Sequence, residues 1–157
     1  MVEINNLTRF AVDKKFFLRV AKKVLKGENM EKENLSLAFV SCEAIRIINK
    51  KYRGENKPTD VLSFAKISSG RREFSEVIIC PAILKKTAKF SHQVLKMELS
   101  KALIHGILHT LGYDHEISKK EEKLMLKKQN YYLSKFKIRS LQFIIISMSL
   151  YYKFYFL

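Results

Sequence analysis

The sequence predicts a single domain of the α/β or α+β class, a small mixed β-sheet packed with helices. Three observations lead there. Short alternating apolar stretches of strand type are interspersed with longer stretches at helical spacing. No internal repeat and no linker-like segment divides them. The length, 157 residues with 47% apolar, suits one core, since single domains most often run to about 100–150 residues.

Taken in order, Val2–Leu7 reads as a short strand. Phe10–Lys26 sets Phe16, Phe17, Val20, Val24 and Leu25 at helical spacing, and Gly27 is expected to close that helix. After a polar loop, Leu35–Ser41 alternates as a strand. Glu43–Tyr52 reads as a helix with Ala44, Ile47 and Ile48 inward. Arg53–Asp60, RGENKPTD, is a loop because Gly54, Asn56 and Pro58 break regular structure. VLSFA from Val61 and EVIIC from Glu76 are two more strands, joined by a hairpin-like link. Pro81 opens a helical stretch, where its missing N–H costs nothing. The pattern runs to Leu111, with a renewed start near Ser91 as N-cap, and Gly112 stops it. Ser118 followed by Glu121 marks the start of a last helix to Phe136.

Residues 1–137 therefore form the expected domain, and 138–157 an apolar extension. Leu141–Leu150 is interrupted by Gln142, Ser147 and Ser149, and falls short of the roughly 20 apolar residues that span a bilayer. A packed or partly disordered extension is the main reading, and a membrane-associating tail the minor one.

With 30 Lys+Arg against 15 Asp+Glu, the formal charge is +15, which suits a polyanionic partner such as RNA, DNA or an anionic membrane. Cys42 and Cys80 are far apart in sequence and form no CxxC pair, so neither a zinc ribbon nor a disulfide framework is indicated. Both sit in apolar surroundings, as buried free thiols of a reducing compartment would. MVEINNLTRF has no basic n-region followed by an apolar h-region, so the expected location is cytoplasmic.

Three of the four histidines fall in HGILHTLGYDH, His105–His115. Four residues advance a helix by about 400°, so His105 and His109 share a face about 40° apart. His115 is too far along a straight helix to join them. Gly112 supplies the remedy: in a left-handed conformation it ends the helix and turns the chain back. Three imidazoles with one open position describe a catalytic zinc site at the C-terminal end of a long helix. Nickel, copper or iron also suit such ligands. The same frame, HExxHxxGxxH, belongs to the metzincin proteases, where the Glu is the general base. Here that position is Gly106, so a zinc peptidase would lack its proton acceptor. Phosphodiester cleavage needs negative charge neutralised instead, which a metal and an arginine can do.

At these residues the sequence resembles the YbeY family of bacterial rRNA maturation endoribonucleases. HGILHTLGYDH fits its H-G-x-L-H-x-x-G-Y-D-H motif, and NKKYRGENKPTDVLSF, Asn49–Phe64, fits its N-x-x-Y-R-x-x-x-x-P-T-D-V-L-S-F segment. The resemblance covers roughly Val2 to Phe136. It implies a single-strand-specific, metal-dependent endoribonuclease acting in rRNA processing, notably at the 3′ end of 16S rRNA, and in 70S ribosome quality control. Its partners would be ribosomal RNA and ribosomal subunits. It implies that His105, His109 and His115 bind one Zn²⁺ ion and that Arg53 is the family's functional arginine, whose planar fork suits a phosphate. The chain departs from the family at Ser75-Glu76-Val77, where Gly-Asp-Ile is common, and at Ala65, where Pro is common. It also has Gln129 four residues after Met125, where M-x-x-x-E is usual. The rival readings are a non-catalytic, metal-stabilised, ribosome-associated RNA-binding factor and a zinc peptidase.

Other residues carry weaker expectations. Asp60 is read as a cap of its turn or strand before a catalytic group. Asp114 is either a turn carboxylate or a hydrogen-bond acceptor behind a metal ligand. Glu98 shares the His105 face but is about 10 Å away, so an ion pair is its default. Tyr113 is read as packing before base stacking. His92 is read as solvated.

Overall fold

A computed structural model describes residues 1–68, 71–88, 92–114 and 117–136. His115, Ser91 and the 138–157 extension lie outside the described residues. The elements run β1 (Val2–Asn6), α1 (Lys14–Gly27), β2 (Leu35–Phe39), α2 (Cys42–Arg53), β3 (Val61–Ser68), β4 (Arg71–Ile79), α3 (Pro81–Thr87), α4 (His92–Thr110) and α5 (Lys119–Ser134). The four strands form one mixed sheet in the order β1-β2-β4-β3. β1, β2 and β4 are parallel, with Ile4 opposite Leu37 and Leu37 opposite Val77. β3 closes the row antiparallel to β4, with Val61 opposite Ile79. The predicted α+β domain with a small mixed sheet is what forms.

Alternation along the strands divides the core. Leu35, Leu37 and Phe39 of β2, with Val77 and Ile79 of β4, pack against α1, α4 and α5. Ile78 and Cys80 face the other way, onto Ile45, Ala44 and Ile48 of α2 and Leu62 of β3. The helix α4 lies in the middle of the larger core. Met97, Leu99, Ala102, Leu103, Ile104, Ile107 and Leu108 are all buried, so nearly its whole circumference is apolar, as in a helix enclosed by other elements.

Local chemistry sets most boundaries. Asp13 accepts a hydrogen bond from Phe16 N, so α1 begins at Lys14 and not at Phe10 as the periodicity suggested. Gly27 is the last residue of α1, but Asn29 takes the left-handed conformation, φ 59°. Gly27 serves packing: a Cβ there would collide with the Tyr132 ring. Ser41 caps α2 through Ala44 N, and Gly54, φ 76°, ends it. The inward face of α2 differs from expectation. Ile45 is fully buried and Ile47 is 54% exposed, because Ile45, Ile48 and Asn49 form the i, i+3, i+4 set that meets the sheet. Ser118 caps α5 through Glu121 N, as its sequence signal predicted.

The two cysteines, distant in sequence, meet in space with Sγ atoms 3.4 Å apart; both are free, and burial pushes the Cys80 thiol up. Among the described residues, no helix is long and apolar enough to cross a membrane.

Candidate active site

The site begins with a polar line on α4. Glu98, Lys101, His105 and His109 are partly exposed at spacings of three, four and four, while their neighbours are buried. Glu98 pairs with Lys101 at 2.8 Å, the ion pair expected of it. His105 and His109 occupy the last two turns. Their rings stand 4.6 Å apart at 76°, and their Nε2 atoms approach to 3.1 Å. On the far side of the first ring, His105 Nδ1 lies 3.2 Å from Gln129 Oε1 of α5. A carbonyl oxygen only accepts, so in this contact Nδ1 of His105 is the donor.

Gly106 explains how the helix reaches this position. A Cβ there would lie 2.7 Å from Val77 Cγ1 and 3.4 Å from Val61 Cγ2. The helix backbone therefore rests directly on β4 and β3, and the bare α-carbon lets the histidines approach the sheet edge. A glutamate at this position, as a metzincin general base requires, has no room without displacing the sheet.

Gly112 terminates α4 as predicted. Its φ is 97°, its N–H donates to His109 O at 3.0 Å, and Tyr113 N–H donates to Leu108 O at 3.1 Å. This pair of bonds is the Schellman arrangement, which satisfies two of the helix's last carbonyls and reverses the chain. Asp114 then lines the same cleft as His105 and His109.

That cleft, about 480 Å³, runs along the open edge of the sheet. Consecutive residues Val61–Ala65 of β3 form one wall, and Arg53 and Asp60 lie at its rim. Arg53 is the last residue of α2, brought here by the turn at Gly54. The loop that follows is tied back to α2 twice. Buried Asn49 donates from Nδ2 to Lys57 O at 2.8 Å, and Arg46 donates to Asn56 Oδ1. Asp60 Oδ1 accepts from Val61 N at 2.9 Å, the strand-start role expected of it. Tyr52 stacks obliquely on Phe64, ring centroids 5.1 Å apart, and Phe64 lines the cleft.

A second polar cluster supports the turn after α4. Tyr113 donates to Glu28 Oε2 at 2.7 Å, Lys128 reaches both Glu28 oxygens at 2.9 and 3.0 Å, and Tyr132 donates to Oε1. The Glu28 side chain is only 7% exposed. Burial pushes its carboxyl up, but the hydrogen bonds from Tyr132, Lys128 and Tyr113 outweigh it and hold the group below the usual glutamate range. Burial, reinforced by the adjacent Glu28 charge, pushes the Tyr132 phenol up. Tyr113 also packs against the larger core, as expected of it.

The two described imidazoles have the spacing that an ion of zinc type would require. Two imidazole ligands at 2.0–2.1 Å on a tetrahedral zinc stand about 3.3 Å apart, and the two Nε2 atoms are already 3.1 Å apart. Among the described residues, no group of three His, Cys, Asp or Glu forms a metal cluster. The third ligand that sequence implies, His115, falls just beyond Asp114 and outside the described residues.

Sequence reasoning missed three contributors. In the sequence Gln129 stands out only as a departure from a family pattern, and its spacing of four from buried Met125 is the signal that it faces inward. Asn49 gave a stronger hint, a polar residue in phase with Ile45 on an apolar face. Glu28 gave none, because its partners lie 85 to 104 residues away.

The family model described as Endoribonuclease YbeY matches residues 3–137. The Endoribonuclease YbeY of Sulfurihydrogenibium sp. is 38% identical over 122 residues, covering 76% of this chain and 80% of that one. That of Bdellovibrio bacteriovorus is 43% identical over 100 residues, covering 64% and 65%. The solution structure of TM1509 from Thermotoga maritima superposes with a TM-score of 0.61 at 30% identity, covering 85% of this chain and 87% of that one. A family match across most of the chain, close relatives and a shared fold agree with the histidine helix and its cleft: the chain belongs to the Endoribonuclease YbeY family.

Proposed function

We propose that this protein is a cytoplasmic, zinc-dependent, single-strand-specific endoribonuclease that matures ribosomal RNA, notably the 3′ end of 16S rRNA, and takes part in 70S ribosome quality control. The observation that carries the reading is the convergence of His105 Nε2 and His109 Nε2, 3.1 Å apart, on a cleft that Arg53 also lines. His105, His109 and His115 would hold one zinc ion. When bound, it supplies Lewis acidity toward a phosphoryl oxygen and lowers the pKa of a water. The remaining work belongs to the chain. The Arg53 guanidinium holds the scissile phosphate in a fixed orientation and offsets the charge that builds on it. The β3 edge and the Tyr52–Phe64 pair border the path of a single strand, where an unpaired base can rest on a ring face. A cleft against a sheet edge favours an unpaired strand over a duplex, whose bases are already stacked.

The test is cleavage of a single-stranded RNA spanning the 16S 3′ end by the full chain, with and without chelator, beside a duplex of the same sequence. The expected result is chelator-sensitive cleavage of the single strand only, abolished by His109→Ala. Cleavage that persists in chelator, or equal cleavage of the duplex, contradicts the reading.

A further inference from the structure

We infer that Gln129 is a positioning residue for the metal site: by accepting the Nδ1 proton of His105 it fixes the ring's tautomer and aims Nε2 into the cleft. The inference rests on the zinc reading above and adds a residue that neither the histidine motif nor the arginine segment contains.

The geometry is specific. Gln129 Oε1 lies 3.2 Å from His105 Nδ1, on the side of the ring opposite the His105–His109 Nε2 contact. A neutral imidazole has one proton for two nitrogens. A proton held on Nδ1 leaves Nε2 bare and directed at His109, the state a metal ligand requires. A proton on Nε2 removes the lone pair from the site. Ligating histidines usually donate their other N–H to a carboxylate, carbonyl or water for this reason.

The surroundings show why a dedicated acceptor matters. Behind His105 lies a second cavity, about 220 Å³, lined by Asp60, Glu98, Lys101 and Gln129 among others. This space adjoins the Nδ1 side of the ring, where the Gln129 amide reaches it. Gln129 is itself held firmly. Met125, one turn earlier, is 2% exposed in the core, and the adjacent Lys128 is paired with Glu28. The amide therefore arrives from a fixed helix and presents its oxygen at a set height along α4. It is neutral, so it orients the ring without adding charge behind it. A carboxylate of the same length would accept the same proton and increase the ring's basicity.

The experiment measures zinc affinity of the full chain at fixed pH by competition with a chromophoric chelator, for wild type, Gln129→Leu and Gln129→Glu. Gln129→Leu is expected to weaken zinc binding about 10- to 100-fold. Gln129→Glu keeps the acceptor and is expected to bind at least as tightly as wild type. Ring ¹⁵N shifts of His105 in the metal-free wild-type protein give a readout that needs no variant, and the expected state is protonated Nδ1. Zinc affinity unchanged within twofold in Gln129→Leu overturns the inference, as does a wild-type His105 protonated on Nε2. Those results leave the zinc reading intact. A wild-type chain that binds no zinc defeats both, and so separates the two failures.

Discussion

At the scale of single residues, Gly106 and Arg53 make opposite demands on the chain. Gly106 answers to packing. Its missing side chain is where α4 touches Val77, and a methyl group there meets branched carbons of a buried strand. Overpacking costs about 1–3 kcal/mol, partly offset by about 1 kcal/mol of helix propensity gained over glycine. Gly106→Ala is therefore expected to lower unfolding stability by up to about 2 kcal/mol. Denaturant titration checks this, and adding Val77→Ala should abolish the Gly106→Ala penalty if the clash is its source. Under the proposed function, Arg53 answers to chemistry. It is exposed at a helix end, so Arg53→Ala should change stability by no more than about 0.5 kcal/mol. The same variant should lose about 100-fold or more in RNA cleavage, as when a charge-stabilising donor is removed from an active site. A cleavage rate within threefold of wild type would remove Arg53 from the mechanism.

At the scale of elements, the ends of α1 and α4 and one face of α5 are joined by Glu28. Its carboxyl is held below the ordinary glutamate range in the folded protein, so it favours the fold wherever the unfolded group would be ionised. That contribution is fully present above about pH 4.3, the unfolded value, and is lost as pH falls through the lower folded value. Glu28→Gln should cost about 1.5–3 kcal/mol at neutral pH, with the deficit shrinking in more acidic solution. Stability curves of both proteins across pH 2–7 check the sign, and a deficit that grows on acidification would refute it. This clamp was invisible in the sequence because nothing local marks a glutamate for partners on another helix. Elements whose signals are local were legible. The Ser118–Glu121 start of α5, the Gly112 stop of α4 and the strands β1 and β2 formed within a residue or two of expectation. The misreadings arose where two signals competed. Apolar spacing suggested α1 from Phe10, but the Asp13 cap fixed its start. In α2 the run Ile45-Arg46-Ile47-Ile48 allows two phases, and only contact with the sheet selects Ile45 over Ile47.

At the scale of the molecule, charge and chain length set the remaining expectations. Under the proposed function, a formal charge of +15 predicts RNA binding governed by phosphate contacts. Affinity for a single-stranded RNA should fall by orders of magnitude between about 50 and 200 mM salt if many phosphates are contacted. Filter binding or fluorescence anisotropy across that range measures the slope, and a flat response would deny the basic surface its docking role. Among the described residues the cleft is lined from α2, β3, α4 and the loops beside them, and Phe136 packs against Phe16 with ring centroids 5.7 Å apart. A chain ending at residue 137 is therefore expected to fold, with a melting temperature within a few degrees of the full chain. The histidine helix and its glycines could be read from the sequence because ligand spacing and helix termination are local properties. The cleft wall of β3 could not, since it depends on which strand the sheet leaves at its edge.

The most direct measurement is the metal content of the purified full chain, by elemental analysis after dialysis against metal-free buffer. One zinc per chain in the wild type, lost in both His105→Ala and His109→Ala, is the predicted result. A folded wild-type protein that retains no transition metal, or variants that keep a full equivalent, would contradict a centre built on the end of α4.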